Sequence, residues 1–553
     1  MTNLYENVQR VFPDFKIEHM KTRFYWLLLI LGLAANASAQ FQMQSNPAKN
    51  WQNQSIEQDS VYGTSSDKAL ELLKGRKSTT IIVAVIDGGV QINHPALKQN
   101  IWVNTKEIAD NKIDDDHNGY VDDVHGWDFI GGKDSDVKQE NLEVTRLYRD
   151  LGKKYASITA DKVAKEDMPE YNKYLKVKKD FEGRYNATKQ QYDGLKGFID
   201  TVGMVKIALG KKDFNKEDLD AYNPTDSAMV RAKRRIVRNF KRFQMFVKGV
   251  TADSIIKILQ PGLEHISVSL NYQLNVNFNP RFVVGDNYPD ATQRDYGNND
   301  VIGPTDAHGT HVSGIIAGQR TGKAGEQEGI ADNVKILVVR VVPDGDERDK
   351  DVANGIRYAV DNGAKVINMS FGKGYSYNKK TVDDAVKYAE DHDVLLVHAA
   401  GNDHSNNDSV DNFPTRKFEN SKKEAQNWIE VGASDVKGRP GSFSNYGKKS
   451  VDLFAPGVKI YSSVPDTAYA YYNGTSMASP CVAGVATIIR EYFPSLTAKQ
   501  VRKILMKSVT KPAFKVAMPG HSDKMVSYSD LCISGGIVNT QKAIQLAIKK
   551  AGK

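Results

Sequence analysis

Ile81-Ile82-Val83-Ala84-Val85-Ile86-Asp87-Gly88-Gly89 is the stretch on which the fold turns. Its six successive apolar residues, all but Ala84 β-branched, leave no polar face, so it reads as a strand buried on both sides. A sheet with one wet face would show alternation instead. Comparable runs lie at 336–342, 365–369, 394–398 and 428–432, with helical patterns at 350–362, 381–391 and 476–492. Strand–helix alternation of this kind predicts an α/β fold in which helices cover a parallel sheet. Ligands then bind beyond the carboxyl ends of the strands, which draws attention to Asp87.

The chain of 553 residues has 40% hydrophobic residues and two cysteines. That apolar content excludes a wholly disordered chain. Two cysteines exclude a disulfide scaffold and any four-thiolate zinc site; whether Cys481 and Cys532 pair is left open. The net charge is +8, from 75 Lys+Arg against 67 Asp+Glu, and it is unevenly spread. Residues 137–285 hold 28 Lys+Arg and 18 Asp+Glu, a net of +10, so the rest of the chain sums to −2. This segment also interrupts the strand–helix alternation. Its clearest helical pattern, 231–248, sets Ile236, Phe240, Phe243 and Val247 on one face. It reads as a basic, mostly helical insertion.

At the start of the chain, Lys21 and Arg23 precede a 12-residue apolar run, 24–35, and then Ala37-Ser38-Ala39. This is the layout of a secretory signal peptide, too short for the roughly 20 apolar residues of a membrane span. Cleavage is expected after Ala39. The mature protein is then extracytoplasmic, secreted or periplasmic, and no cysteine follows the cleavage point to carry a lipid anchor. Residues 1–39 form the N-terminal extension and signal peptide. Residues 40–79 form a short polar segment with one helix around 69–73.

Three motifs fall at strand ends or helix starts. Asp87 ends the first buried strand, where a carboxylate can hold a histidine, bind a ribose or cap a turn. His308 lies in His308-Gly309-Thr310-His311-Val312-Ser313-Gly314, which opens a small-residue helix. Two histidines three apart hint at a metal, but no third ligand pattern accompanies them. Ser476 lies in Asn473-Gly474-Thr475-Ser476-Met477-Ala478-Ser479-Pro480, at the positive end of a long helix. Each residue alone reads most plainly as structural.

Taken together, an Asp, a His and a Ser in these motifs and in this order resemble the subtilisin-like serine proteases, the subtilases. A fourth motif, His398-Ala399-Ala400-Gly401-Asn402 at a strand end, resembles that family's oxyanion-hole segment. The resemblance covers 80–136 and 286–548 and implies a doubly wound, mostly parallel, three-layer α/β domain of the subtilisin type, interrupted by the insertion 137–285. It further implies that Ser476 attacks the peptide carbonyl, that His308 takes its proton and passes it to the leaving amine, and that Asp87 holds the imidazole. Asn402 and the backbone N–H of Ser476 would bind the oxyanion. Ser370, Phe371 and Gly372 resemble the strand that pairs with substrate, and Ala400 and Gly401 would border the same site. Asn412-Phe413-Pro414-Thr415 resembles the opposite pocket wall, where the family often has a cis proline. Neither wall brings in a strong charge, so an uncharged residue is expected before the cleaved bond. Gly535-Gly536-Ile537-Val538-Asn539 resembles the closing motif. No cofactor is needed for this chemistry.

Asp114-Asp115-Asp116-His117-Asn118-Gly119-Tyr120-Val121-Asp122-Asp123 spaces oxygen ligands at alternate positions, with a glycine for the turn. This resembles the first half of a calcium loop, although His125 stands where a bidentate Glu is expected. A structural calcium held by Asp114, Asp116, Asn118, the Tyr120 carbonyl and Asp122 or Asp123 is the expectation, because five aspartates in ten residues repel one another unless a cation compensates.

Two departures accompany the resemblance. Asp87 and His308 are 221 positions apart, so the insertion must leave and rejoin the core at neighbouring points. Residues 40–80 are also few for the inhibitory propeptide usual in secreted members. The main reading is a secreted, monomeric serine endopeptidase acting on proteins or peptides. The rival is a catalytically silent subtilase fold that binds protein or envelope through the basic insertion. A nucleic-acid partner is not expected, given the compartment and the lack of a recognition motif.

Overall fold

The computed structural model describes residues 46–244, 249–323 and 325–551; the signal-peptide segment lies outside them. The described residues divide into two compact units, one formed by 47–181 with 272–551 and the other built on 182–271.

The larger unit is built on a seven-stranded sheet in the order β2-β3-β1-β4-β5-β6-β7, every pairing parallel. The strands are β1 (Ile81–Asp87), β2 (Gly126–Asp128), β3 (Val334–Arg340), β4 (Val366–Met369), β5 (Leu395–Ala399), β6 (Trp428–Ser434) and β7 (Leu453–Pro456). β1, the run that decided the fold, lies inside the sheet between β3 and β4. Side chains alternate across a strand, and β1 separates the two cores accordingly. Val83 and Val85 join one cluster, with apolar residues of helices Ala307–Ala317, Thr475–Tyr492 and Ala498–Lys507. Ala84 and Ile86 join the other, with residues of helices Asp349–Asp361 and Lys379–Asp391. The result is the three-layer α/β arrangement expected from the sequence.

Among the described residues the α-helices of six or more residues are, in chain order, α1 (Ser66–Leu73), α2 (Glu143–Tyr155), α3 (Met168–Leu209), α4 (Lys216–Ala221), α5 (Ser227–Gln244), α6 (Ala252–Val268), α7 (Ala307–Ala317), α8 (Asp349–Asp361), α9 (Lys379–Asp391), α10 (Thr475–Tyr492), α11 (Ala498–Lys507) and α12 (Thr540–Ala551). A two-stranded antiparallel ribbon, β8 (Ile460–Val464) with β9 (Ala468–Tyr472), precedes α10. The short N-terminal segment is part of this fold: Trp51 is fully buried, and its indole N–H donates to the Lys459 carbonyl at 3.1 Å.

The smaller unit has a core of its own, drawn from Phe198, Val202 and Val205 of α3, Ala232, Ile236 and Phe240 of α5, and Ile255 and Leu259 of α6. On α5 the buried face is the one the sequence periodicity marked, with Phe243 half-buried; Val247 lies outside the described residues. The segment read as the insertion, 137–285, is wider than this unit. Its first part, including α2, and its last part pack within the sheet unit.

Candidate active site

Three neighbouring strand ends and two helix starts meet at the carboxyl edge of the sheet. Asp87 is the last residue of β1, with a side chain only 3% exposed. Its carboxylate accepts the Gly88 N–H at 2.8 Å and faces His308 Nδ1 at 2.8 and 3.0 Å. His308 is the second residue of α7, with 40% of its side chain open to solvent. Gly309 permits this approach: a Cβ there would stand 2.1 Å from the Gly89 carbonyl oxygen. Burial alone would pull the His308 pKa down, but the Asp87 charge and hydrogen bond outweigh it and hold it above the usual histidine value. With Nδ1 turned to Asp87, Nε2 is the nitrogen left for chemistry.

Ser476 is the second residue of α10, and α10 packs on α7. Its hydroxyl donates to the Ser370 carbonyl at 3.1 Å, and its own carbonyl accepts from Ser370 Oγ at 2.9 Å. No hydrogen bond joins Ser476 to His308 among the described residues; the hydroxyl rests on Ser370, just past the end of β4, instead, and hydrogen bonds of this kind commonly tighten only when substrate arrives. The Ser476 N–H lies in the first turn of α10, where no preceding turn supplies an acceptor.

The loop after β5 is bolted to the same helix start. Gly401 N–H donates to Thr475 Oγ1 at 3.1 Å, while Asn402 Oδ1 accepts from Thr475 N at 2.9 Å and from Thr475 Oγ1 at 3.0 Å. With its oxygen accepting twice from Thr475, the residue before Ser476, Asn402 keeps its amide N–H₂ as a donor. Gly401 has φ +102°, and a Cβ there would lie 2.4 Å from Asn445 Nδ2, so only glycine fits. Thr475 and Asn445, which set this loop, were not singled out from sequence; Thr475 was visible only as the neighbour of Ser476.

The other expected site residues fall around this edge. Ser370 is buried and Phe371 packs edge-on to His398, with ring centroids 6.3 Å apart. Asn412 Nδ2 donates to the Ala399 carbonyl at 3.0 Å, next to Ala400. Lys373 and Phe413 exchange two backbone hydrogen bonds, 3.0 and 2.8 Å, which tie segment 370–373 to segment 412–414, and the Phe413–Pro414 bond is cis. The two histidines of the His308 motif serve separate partners. His311 Nε2 lies 3.1 Å from both the Ile460 and Ala470 carbonyls, and burial pushes its pKa down to about 3. Cys481 and Cys532 are both buried free thiols.

Two of the expected ligands of the acidic loop come together with a third carboxylate. Carboxylate oxygens of Asp114, Asp116 and Glu107 lie within 4.8 Å of one another. Glu107, outside the alternating motif, had no sequence signal. Asp122 accepts the N–H groups of Asn111 and Lys112 at 3.2 and 2.9 Å. Asp123 is fully buried, bound by Tyr358 OH at 2.6 Å, Asn104 at 2.8 Å and Asn118 Nδ2 at 3.1 Å, and burial pushes its pKa up to about 6. Tyr120 is a buried ring packed on Trp127, and its N–H donates to Asn118 Oδ1 at 2.8 Å. A three-carboxylate, all-oxygen donor set suits a hard cation such as calcium.

A parallel sheet with an Asp–His pair, a serine at a helix start and an amide donor at its carboxyl edge has the organisation of a hydrolase that works through an activated hydroxyl. The sequence profile of the Subtilase family matches residues 78–526, and the chain belongs to that family. It is 44% identical over 183 residues to the thermophilic serine proteinase of Bacillus sp. (strain AK1), covering 33% of this chain and 42% of that protein. It is 30% identical over 320 residues to an alkaline protease of Alkalihalobacillus alcalophilus, covering 56% and 75%. Fervidolysin of Fervidobacterium pennivorans is 32% identical over 290 residues, covering 47% and 38%. The match thus takes in less than half of the first and third relatives. Among solved structures, a cold adapted subtilisin-like serine proteinase aligns at 30% identity with a TM-score of 0.35, over 44% of this chain and 78% of that one; so low a score carries no weight.

Proposed function

We propose that the protein is an extracytoplasmic serine endopeptidase that hydrolyses peptide bonds through an acyl-enzyme on Ser476. The observation that carries this reading is the Asp87–His308 pair at 2.8 Å, on the same sheet edge as Ser476 and Asn402. The hydroxyl of Ser476 turns from Ser370 toward His308 Nε2, which takes its proton as the oxygen adds to the carbonyl carbon. Asp87 keeps the proton on Nδ1 and stabilises the imidazolium. Asn402 Nδ2 and the Ser476 N–H donate to the oxyanion. His308 then protonates the leaving amine, and water repeats the sequence to release the acyl group. Segments 370–372 and 400–401 hold the substrate, an arrangement that favours an uncharged residue before the cleaved bond.

Glu107, Asp114 and Asp116 are the residues we assign to a structural calcium, which supplies no chemistry. Secretion rests on the sequence of residues 1–39. Among the described residues no helix is long and apolar enough to cross a membrane. The insertion would attract acidic polypeptide substrates through α5. Purified protein should hydrolyse an uncharged chromogenic peptide, and Asn402→Ala should lower turnover by roughly 10²–10³. Absence of hydrolysis by the wild type would favour the silent, binding-only reading.

A further inference from the structure

Lys373 follows the substrate-binding segment 370–372 directly, yet its ammonium group is buried, with 1% of the side chain exposed. It donates to Glu143 Oε2 at 2.7 Å and to the Glu347 carbonyl at 2.6 Å, and it pairs with Asp349 at 2.7 Å. Glu143 opens α2, the first helix of the segment that interrupts the family domain, and its side chain is equally buried. Arg146, one turn on, binds the same carboxylate at 3.0 and 2.8 Å and donates to the Asp346 and Glu347 carbonyls at 2.9 and 3.1 Å. Burial would raise the Glu143 carboxyl, but Arg146 and Lys373 hold it well below the usual range. Burial would likewise lower Lys373, but Asp349 and Glu143 hold it high. Glu347 itself is pushed by burial up to about 8.

The main chain of Lys373 is also the point where the two candidate pocket walls meet, through its paired hydrogen bonds with Phe413. One residue therefore fixes wall to wall with its backbone and wall to α2 with its side chain. Building a fully buried ion pair is costly, and removing one partner leaves the other charge stranded. A solvated lysine at this turn would have served solubility as well, so packing alone does not call for the arrangement.

We infer that Lys373 and Glu143 are positioning residues for the substrate-binding wall, through which the base of the inserted segment sets the geometry of the primary specificity pocket. This rests on the protease reading and deepens it. Neither residue touches reacting atoms, so the effect should fall on how substrate is held.

The test uses full-length protein, a set of peptides differing only at the residue before the cleaved bond, and the variants Lys373→Met, Glu143→Gln and their combination. The wild type should discriminate among the peptides. Each single variant should raise KM by roughly 10- to 100-fold with kcat little changed, and should flatten the discrimination. The double variant should lose less than the sum of the two single losses, because both break the Lys373–Glu143 contact. Labelling of Ser476 by a small fluorophosphonate should proceed at the wild-type rate. If Lys373→Met does not fold, Glu143→Gln carries the test, since it keeps the side-chain shape and an acceptor for Arg146. Folded variants with unchanged KM and unchanged discrimination overturn the inference, as do losses confined to kcat or strictly additive losses. A wild type that cleaves no peptide overturns the protease reading itself.

Discussion

The basicity of His308, on which its proposed role as general base rests, follows from its neighbour. Its Nδ1 lies 2.8 Å from a nearly buried Asp87 carboxylate, and its pKa is held above the ordinary 6.5. A general base must lose its proton before it can act, so raising its pKa moves the onset of activity to higher pH. The acid limb of kcat/KM should therefore lie above pH 6.5 in the wild type. Asp87→Asn removes the charge that holds the proton, so the limb should shift to lower pH, while the rate on the plateau falls by about 10⁴-fold because the imidazole tautomer is no longer fixed. A pH–rate profile of both proteins checks this. An unmoved limb would mean that a group other than His308 titrates there. These residues were legible in sequence because each sits beside small residues required for close approach, as Gly309 shows. Thr475 and Asn445, which orient the Asn402 loop, act through ordinary hydrogen bonds and leave no such mark.

At the scale of elements, the sheet was read from its buried apolar runs, and strand bounds shifted by a residue or two. β2 and β7 escaped notice because they have only three and four residues, Gly126–Asp128 and Leu453–Pro456. The β8–β9 ribbon was missed for the opposite reason: tyrosines on a half-exposed ribbon give no buried run. Alternation marked Asp114 and Asp116, but the third carboxylate, Glu107, comes from seven positions upstream and is brought in by hydrogen bonds from the N–H groups of Asp116 and Asp122 at 3.1 and 3.0 Å. If a cation binds these three groups only in the folded state, calcium at one hundred times its Kd should add about 2.7 kcal/mol of stability. Chelation should lower the Tm, and Asp116→Ala or Glu107→Ala should erase the response to added calcium. A Tm indifferent to chelator and calcium alike would leave only an acidic turn.

At the scale of the molecule, the positive charge is concentrated on one helix. Residues 227–252 contain eight Lys or Arg and no acidic residue. On α5, Lys233 donates to the Asp220 carbonyl at 3.1 Å, and Arg235 donates to the Gly197 and Gly194 carbonyls at 3.1 and 2.9 Å. Arg231, Arg234, Arg238 and Lys241 are exposed and spaced as one stripe, opposite the buried Ala232, Ile236 and Phe240. Such a stripe acts over about 8 Å at physiological salt and can steer an acidic partner. Replacing these four residues with Gln should leave cleavage of a short uncharged peptide unchanged, slow cleavage of an acidic protein at low salt, and have little effect at high salt. Equal rates for both substrates at every salt concentration would make the stripe merely solubilising. Sequence located the charge, but only the fold separates the stripe from the cations spent on carbonyls.

The central claim is that Ser476 is the nucleophile. Full-length protein treated with a fluorophosphonate, digested and sequenced by mass spectrometry should carry the label on Ser476, and Ser476→Ala should take up none while keeping the wild-type Tm. Labelling of a folded Ser476→Ala protein at the wild-type rate, or a label found on another residue, would contradict the account.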